Sequence, residues 1–120
     1  MTISIPRELA GQRYISLATF RKSGEVVRTP VWFGEADGRL YVMSRSDSGK
    51  FKRIRNNPKV RVAPCTFRGK LTGPEFDGMA TILPEQDRRH ARQTINRKYW
   101  AARIPLIWAR TDGYLEIAVL

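Results

Sequence analysis

The sequence predicts an α+β chain, mainly β: a small antiparallel barrel or sandwich of about six short strands with one short and one longer helix. Three observations carry that expectation. Apolar residues alternate with period two in several runs of six to eight residues, each bounded by Gly, Pro or Asp turn signals. Only one strand-to-strand connection between Ser44 and Phe67 has helical spacing, whereas a parallel sheet needs a crossover after nearly every strand. At 120 residues, with 42% hydrophobic residues, the chain is long enough for one core and no more, so we expect a single domain over residues 1–120.

The elements follow in order. Tyr14–Phe20 alternates and leads into the turn signal Lys22-Ser-Gly-Glu. Val26–Phe33 is the returning strand. Asp37-Gly38 supplies the positive-φ positions of a tight hairpin, so Arg39–Ser44 becomes the third strand of a meander. Phe51 and Ile54 at i, i+3, with Asp47 or Ser48 as start and Asn57-Pro58 as stop, mark the short helix. Lys59–Phe67 reads as the fourth strand and Gly78–Leu83 as the fifth. From Glu85 to about Arg103, Ala91, Ile95, Tyr99 and Ala102 recur on one helical face. Leu115, Ile117 and Val119 alternate in a closing strand. Met43, Met79, Phe20 and Phe33 are expected in the interior.

Charge and cysteine content narrow the chemistry. A net charge of +11 exceeds what solubility asks of a small domain and points to an anionic partner, which nucleic acid, an acidic membrane face and a polyanionic small molecule would each satisfy. No apolar run reaches the roughly 20 residues of a membrane span, and the start lacks secretory-signal features; a cytoplasmic protein is expected. Cys65 stands alone, so no intramolecular disulfide forms, and His90 has no Cys or second His at ligand spacing. Zinc chemistry, a Cys–His nucleophile and an axially ligated haem are all disfavoured.

The most informative stretch runs from Arg28 to Pro58. It sets a wall of Thr29-Pro-Val-Trp-Phe33 beside Leu40-Tyr-Val-Met-Ser44, followed by Arg45-Ser-Asp-Ser-Gly-Lys50 opening a basic helix. First-turn N–H groups, the hydroxyls of Ser44, Ser46 and Ser48, and the Lys50 ammonium can converge on one oxyanion. A cation at a helix N-terminus opposes the macrodipole, and a bound anion would explain its position. Pro30 in mid-strand suits an edge whose backbone faces a ligand, although a plain edge strand explains it nearly as well. Trp32 serves equally as a core aromatic, and the basic run Lys50–Arg55 with Lys59 and Arg61 reads on its residues alone as a solvated face.

These motifs, with Arg53-Ile-Arg-Asn-Asn-Pro58 and Arg68-Gly-Lys70, resemble the pyridoxamine 5′-phosphate oxidase-like split-barrel superfamily, and within it the deazaflavin-dependent branch. The resemblance runs from about Tyr14 to Leu83 and continues less specifically through the Arg97-Lys-Tyr99 helix. It implies a homodimeric, small antiparallel split β-barrel holding coenzyme F420, or alternatively FMN, in a groove at the subunit interface, and transferring a hydride between the reduced deazaflavin and a small organic substrate. Carried over by position, Pro30, Val31 and Trp32 would lie along the ring system, Ser44 and Arg45 near the ribityl chain, and Ser48 and Lys50 at the phosphate, with Arg53 nearby. Arg68 and Lys70 would meet the acidic tail of F420. Such a cofactor supplies the difficult chemistry, so the protein need only bind, orient and polarise; catalytic residues are not identified, and the proton donor is water or Tyr41. The rival of another class is a basic β-barrel that binds single-stranded nucleic acid, which would need exposed stacking aromatics on one sheet face.

Overall fold

The computed structural model describes residues 5–98 and 113–120. The described residues form β1 (Tyr14–Phe20), β2 (Val26–Ala36), β3 (Arg39–Ser44), α1 (Gly49–Asn56), β4 (Lys59–Pro64), β5 (Phe76–Ile82), α2 (Arg88–Lys98) and β6 (Gly113–Val119). Six strands close a barrel in the order β1-β2-β3-β6-β5-β4, with every ladder antiparallel. The expected architecture is therefore present.

Both short turns follow from their residues. Arg21 N–H donates to the Glu25 carbonyl at 2.8 Å, with Gly24 at φ 91°. Asp37 and Gly38 sit at φ 54° and 76°, the backbone of the mirror-image turn that keeps strand twist continuous.

Strand β2 serves two neighbours in succession. Val26–Trp32 pair with β1, from Phe20↔Val26 to Tyr14↔Trp32, and Phe33–Ala36 pair with β3, from Phe33↔Val42 to Ala36↔Arg39. Because Arg21 and Glu25 form a bonded pair, alternation makes Ser16↔Pro30 a non-bonded one. The nitrogen of Pro30 thus points away from β1, and no bond to β1 is lost. Extending the β2–β3 register would bring Pro30 opposite Arg45, where proline cannot donate. The ladder has already stopped at Phe33↔Val42, and among the described residues the two strands do not pair beyond it, which leaves a seam between β2 and the end of β3.

Inside the barrel, Ile15, Leu17, Val31, Phe33, Leu40, Val42, Val60, Val62, Leu115 and Ile117 form one core. Helix α1 plugs one end of it with Phe51 and Ile54. Burying a side chain such as Phe51 stabilises by about 1.5–3 kcal/mol. Gly113 makes that approach possible: a Cβ there would lie 2.6 Å from Phe51 Cζ. On the outer face, α2 lays Ala91 and Ile95 over Tyr41, Met43, Leu83 and Tyr114, with Trp32 and Ala36 at the margin. It comes close at Gly34, where a Cβ would meet Ile95 backbone at 3.1 Å.

Several expectations are corrected. The fourth strand ends at Pro64 rather than Phe67, because Cys65 turns into a small hairpin through a bridge to Leu71. The fifth strand begins at Phe76, two residues early, and β2 runs on to Ala36. The second helix enters through a single 3-10 turn at Glu85–Asp87; Tyr99, Ala102 and Arg103 lie outside the described residues. Met79 is 37% exposed, and Phe20 is half-buried on the outer face beneath the Arg61 guanidinium, 5.5 Å away. Phe33 and Met43 are buried as expected.

Candidate cofactor site

The open seam between β2 and β3 ends at the start of α1, where the sequence placed its anion site. Strand β3 finishes at Ser44, a turn closes from Ser48 N–H to the Arg45 carbonyl at 3.1 Å, and the helix begins at Gly49. Ser48 is the N-cap in extended conformation, yet its hydroxyl bonds none of the first-turn N–H groups. That Oγ is buried and has no partner among the described residues. An N-cap serine ordinarily accepts from the N2 or N3 amide, so both the hydroxyl and the amides are available to something else.

Two cations stand at this terminus. Lys50 Nζ donates to Ser44 Oγ at 2.9 Å and meets no carboxylate among the described residues. Burial, and secondarily the charge of Arg53, lower its pKa from the ordinary lysine value. Arg53 Nε donates to the buried Thr19 hydroxyl at 2.6 Å, and burial followed by the Arg21 charge lowers its pKa as well. Its guanidinium folds back along the first turn: a Cβ on Gly49 would lie 2.7 Å from Arg53 Nη1. Glycine at position 49 makes room for that arginine.

Ser44, Ser48, Lys50 and Arg53 are thus brought together. Arg45 is not directed at them in the same way, because its guanidinium forks onto Asp47 at 3.0 and 2.8 Å. Ser46 offers its carbonyl to Arg55 Nη2 at 3.3 Å. Along the seam, Pro30 and Trp32 are half-buried on the outer face, whereas the Val31 side chain belongs to the barrel core and has only backbone to present outward. Arg68 and Lys70 lie on the hairpin after β4, both exposed in part or in full. That hairpin reaches the seam: a Cβ on Gly69 would meet Pro30 Cδ at 3.5 Å.

Tyr41, the candidate proton donor, packs beneath α2, 4% exposed, and donates to Glu116 Oε2 at 3.1 Å. Burial first, then the hydrogen bond and charge of Glu116, push its pKa up to about 12. Such a phenol keeps its proton. His90 lies edge-on to Tyr41 with ring centroids 5.4 Å apart, and its Nε2 is 3.8 Å from Asp37. Among the described residues no group of three or more His, Cys, Asp or Glu could hold a metal, and no helix is long and apolar enough to cross a membrane. Cys65 is buried, which pushes its thiol pKa up.

Sequence reasoning missed Thr19 and Gly49. Gly49 was visible in Ser-Gly-Lys, but its fit follows only from where Arg53 folds; Thr19 gains its role through a contact 34 residues away.

Residues 1–113 match the pyridoxamine 5′-phosphate oxidase family. The chain belongs to that family. Solved structures of the same fold include an FAD-binding protein from Mesorhizobium loti, 22% identical with TM-score 0.65, the match covering 94% of this chain and 83% of that one. A haem-binding protein from Mycobacterium smegmatis is 18% identical with TM-score 0.68; the match covers 93% of this chain but 48% of the larger one. A domain-swapped dimer is 18% identical with TM-score 0.63, covering 88% and 79%. No curated protein matches in sequence.

Proposed function

We propose that this family member is an F420-dependent oxidoreductase, acting as a cytoplasmic homodimer and moving a hydride between the reduced deazaflavin and a small organic substrate. The observation that carries the reading is the desolvated cationic pair at the start of α1. Lys50 is held in place by Ser44, Arg53 by Thr19, and neither has a carboxylate partner among the described residues. Holding like charges together at a helix N-terminus costs stability unless an anion joins them. The unpartnered Ser48 hydroxyl supplies a further donor, so the residues present fit a phosphate.

In this reading Lys50, Ser48 and Arg53 hold the cofactor phosphate, and Pro30 and Trp32 flank the ring along the open seam, with Val31 contributing backbone alone. Ser44 orients Lys50 and lies near the ribityl chain. Arg45 joins it by exchanging Asp47 for the ligand, and Arg68 and Lys70 face the acidic tail. When bound, the deazaflavin supplies hydride transfer; the protein binds it, orients it and keeps it against a wall that water reaches poorly. Tyr41 holds its proton against Glu116, which leaves water as the proton source. The dimer is supported by a related fold that is a domain-swapped dimer, and its partner subunit would close the seam.

FMN is the competing occupant, since an FAD-binding protein shares the fold and FMN shares the phosphate. Titration of the purified chain with F420 and with FMN tests the choice. Tighter binding of F420, weakened in Arg68→Ala and Lys70→Ala, supports the deazaflavin; preference for FMN moves the chain to the flavin branch.

A further inference from the structure

A second anion-binding arrangement lies outside the Lys50 cluster, on the outer face of the barrel. Arg28 of β2 donates through Nε and Nη2 to the two oxygens of Glu75 at 2.9 and 3.0 Å. This is a fork-to-fork pair across 47 residues of sequence, the geometry by which arginine recognises a carboxylate in a ligand. Arg61 of β4 adds a second cation. Arg28 and Arg61 are both register partners of Ala18 on β1, so about two interstrand spacings, or ~10 Å, separate their backbones. Arg61 is held loosely, by Asp77 at 3.4 Å, whose side chain is 75% exposed, and by the face of Phe20 at 5.5 Å.

The floor of this face is made of small residues. Ala18 and Ala63 are fully buried, and Ser16 is 1% exposed. Ile15 and Leu17 fill the barrel interior, so strand alternation puts Ser16 and Ala18 on the outer side, about 7 Å apart. The Ser16 hydroxyl is buried without a hydrogen-bond partner among the described residues. A buried hydroxyl left unpaired is a polar group that a ligand oxygen would satisfy. Pro30, the register partner of Ser16, joins this floor to the open seam.

We propose that Arg28, Arg61 and Ser16 form a binding site for a short dicarboxylate, and that Glu75 occupies the Arg28 fork in the free chain. One ligand carboxylate replaces Glu75 on Arg28, the other reaches Arg61, and the Glu75 side chain turns out to solvent. The Arg28 hydrogen bond is the largest cause holding the Glu75 carboxyl below the ordinary range; the charges of Arg28 and Arg61 add to it and burial opposes it. Glu75 therefore competes as a full carboxylate at neutral pH. The site needs neither Lys50 nor a bound cofactor, so its test is independent of the proposed function.

The test is calorimetric titration of the full chain with glutarate. Glu75→Gln, which keeps the shape and removes the competing charge, should bind glutarate about tenfold or more tightly than wild type, and acetate much less well. Adding Arg28→Lys in that background should return the affinity to the wild-type level, because a lysine keeps the charge and loses the fork. Glu75→Ser is a second opening variant, and in the wild-type chain excess glutarate should shift the Arg28 Nε–H resonance. Equal glutarate affinity in wild type and the opened variants, an affinity that Arg28→Lys leaves unchanged, or an unmoved Arg28 resonance would each overturn the proposal.

Discussion

Lys50 and Ser44 are joined end to end: the ammonium at the first turn of α1 donates to the hydroxyl that terminates β3 at 2.9 Å. The bond fixes where a cation sits without neutralising it. It also couples the last residue of a sheet to the first turn of a helix.

Lys50 should therefore weaken the free fold while serving a bound anion. Its pKa is lowered by burial, so at neutral pH the unfolded chain holds the Lys50 proton more readily than the folded chain. The stability it withholds returns only as pH rises through the lowered value toward the ordinary lysine range. Lys50→Met should raise the melting temperature of the chain without ligand. It should also reduce the stabilisation wild type gains from added phosphate, leaving only the share that Ser48 and Arg53 supply. Melting curves with and without phosphate check both, and a less stable variant would contradict the account.

Gly113 and Phe51 make a second, purely structural prediction. With a Cβ at Gly113 only 2.6 Å from the ring, Gly113→Ala should cost about 1–3 kcal/mol by overpacking. Phe51→Leu in the same chain should recover part of that loss, because the shorter side chain frees the space. Urea unfolding of the two single variants and the double variant gives the coupling; strictly additive changes would mean that the ring and residue 113 do not compete for space.

Much of the barrel was legible because its signals are local. Asp37-Gly38, the alternation of Tyr14–Phe20, and Phe51 with Ile54 each state their structure within a few residues. The split itself was half legible: Pro30 marked an edge, but only the register shows that its nitrogen faces β3 and not β1. What failed was contextual. Cys65–Phe67 looks strand-like by composition, yet the chain folds back there into a hairpin, and no local pattern tells that Val31 points inward while Trp32 does not. In the candidate site, Ser44, Ser48 and Lys50 were visible from one short motif. Thr19 was not, since its partner Arg53 comes from helix α1, 34 residues further along the chain.

Tyr41 gives a spectroscopic prediction. With a pKa pushed up to about 12, its phenol should stay protonated through the range in which ordinary tyrosines ionise near pH ~10. Its contribution to stability is complete below that range and is lost as pH rises through about 12. Alkaline titration followed by tyrosinate absorbance should show a late component that shrinks in Tyr41→Phe, the remainder belonging to Tyr114, whose pKa burial also raises. That variant should keep its turnover in the proposed reaction; loss of turnover with the fold intact would make Tyr41 a proton donor after all.

The basic surface supplies a further prediction about class. Trp32 is engaged with the cluster beneath α2, and the exposed aromatic Phe67 is covered on one side by Arg68 at 5.3 Å. The described residues thus offer no row of open stacking platforms. Single-stranded oligonucleotides should bind weakly and be released by modest salt, as for charge alone; salt-resistant retention would revive the nucleic-acid alternative.

The most direct measurement is a side-by-side titration of wild type and Lys50→Ala with F420. A charge-assisted contact to phosphate contributes about 1.5–3 kcal/mol, so wild type should bind the cofactor at least about tenfold more tightly than the folded variant. Equal affinity in the two proteins, or no binding by either, would contradict the claim that the helix start at Lys50 holds a cofactor phosphate.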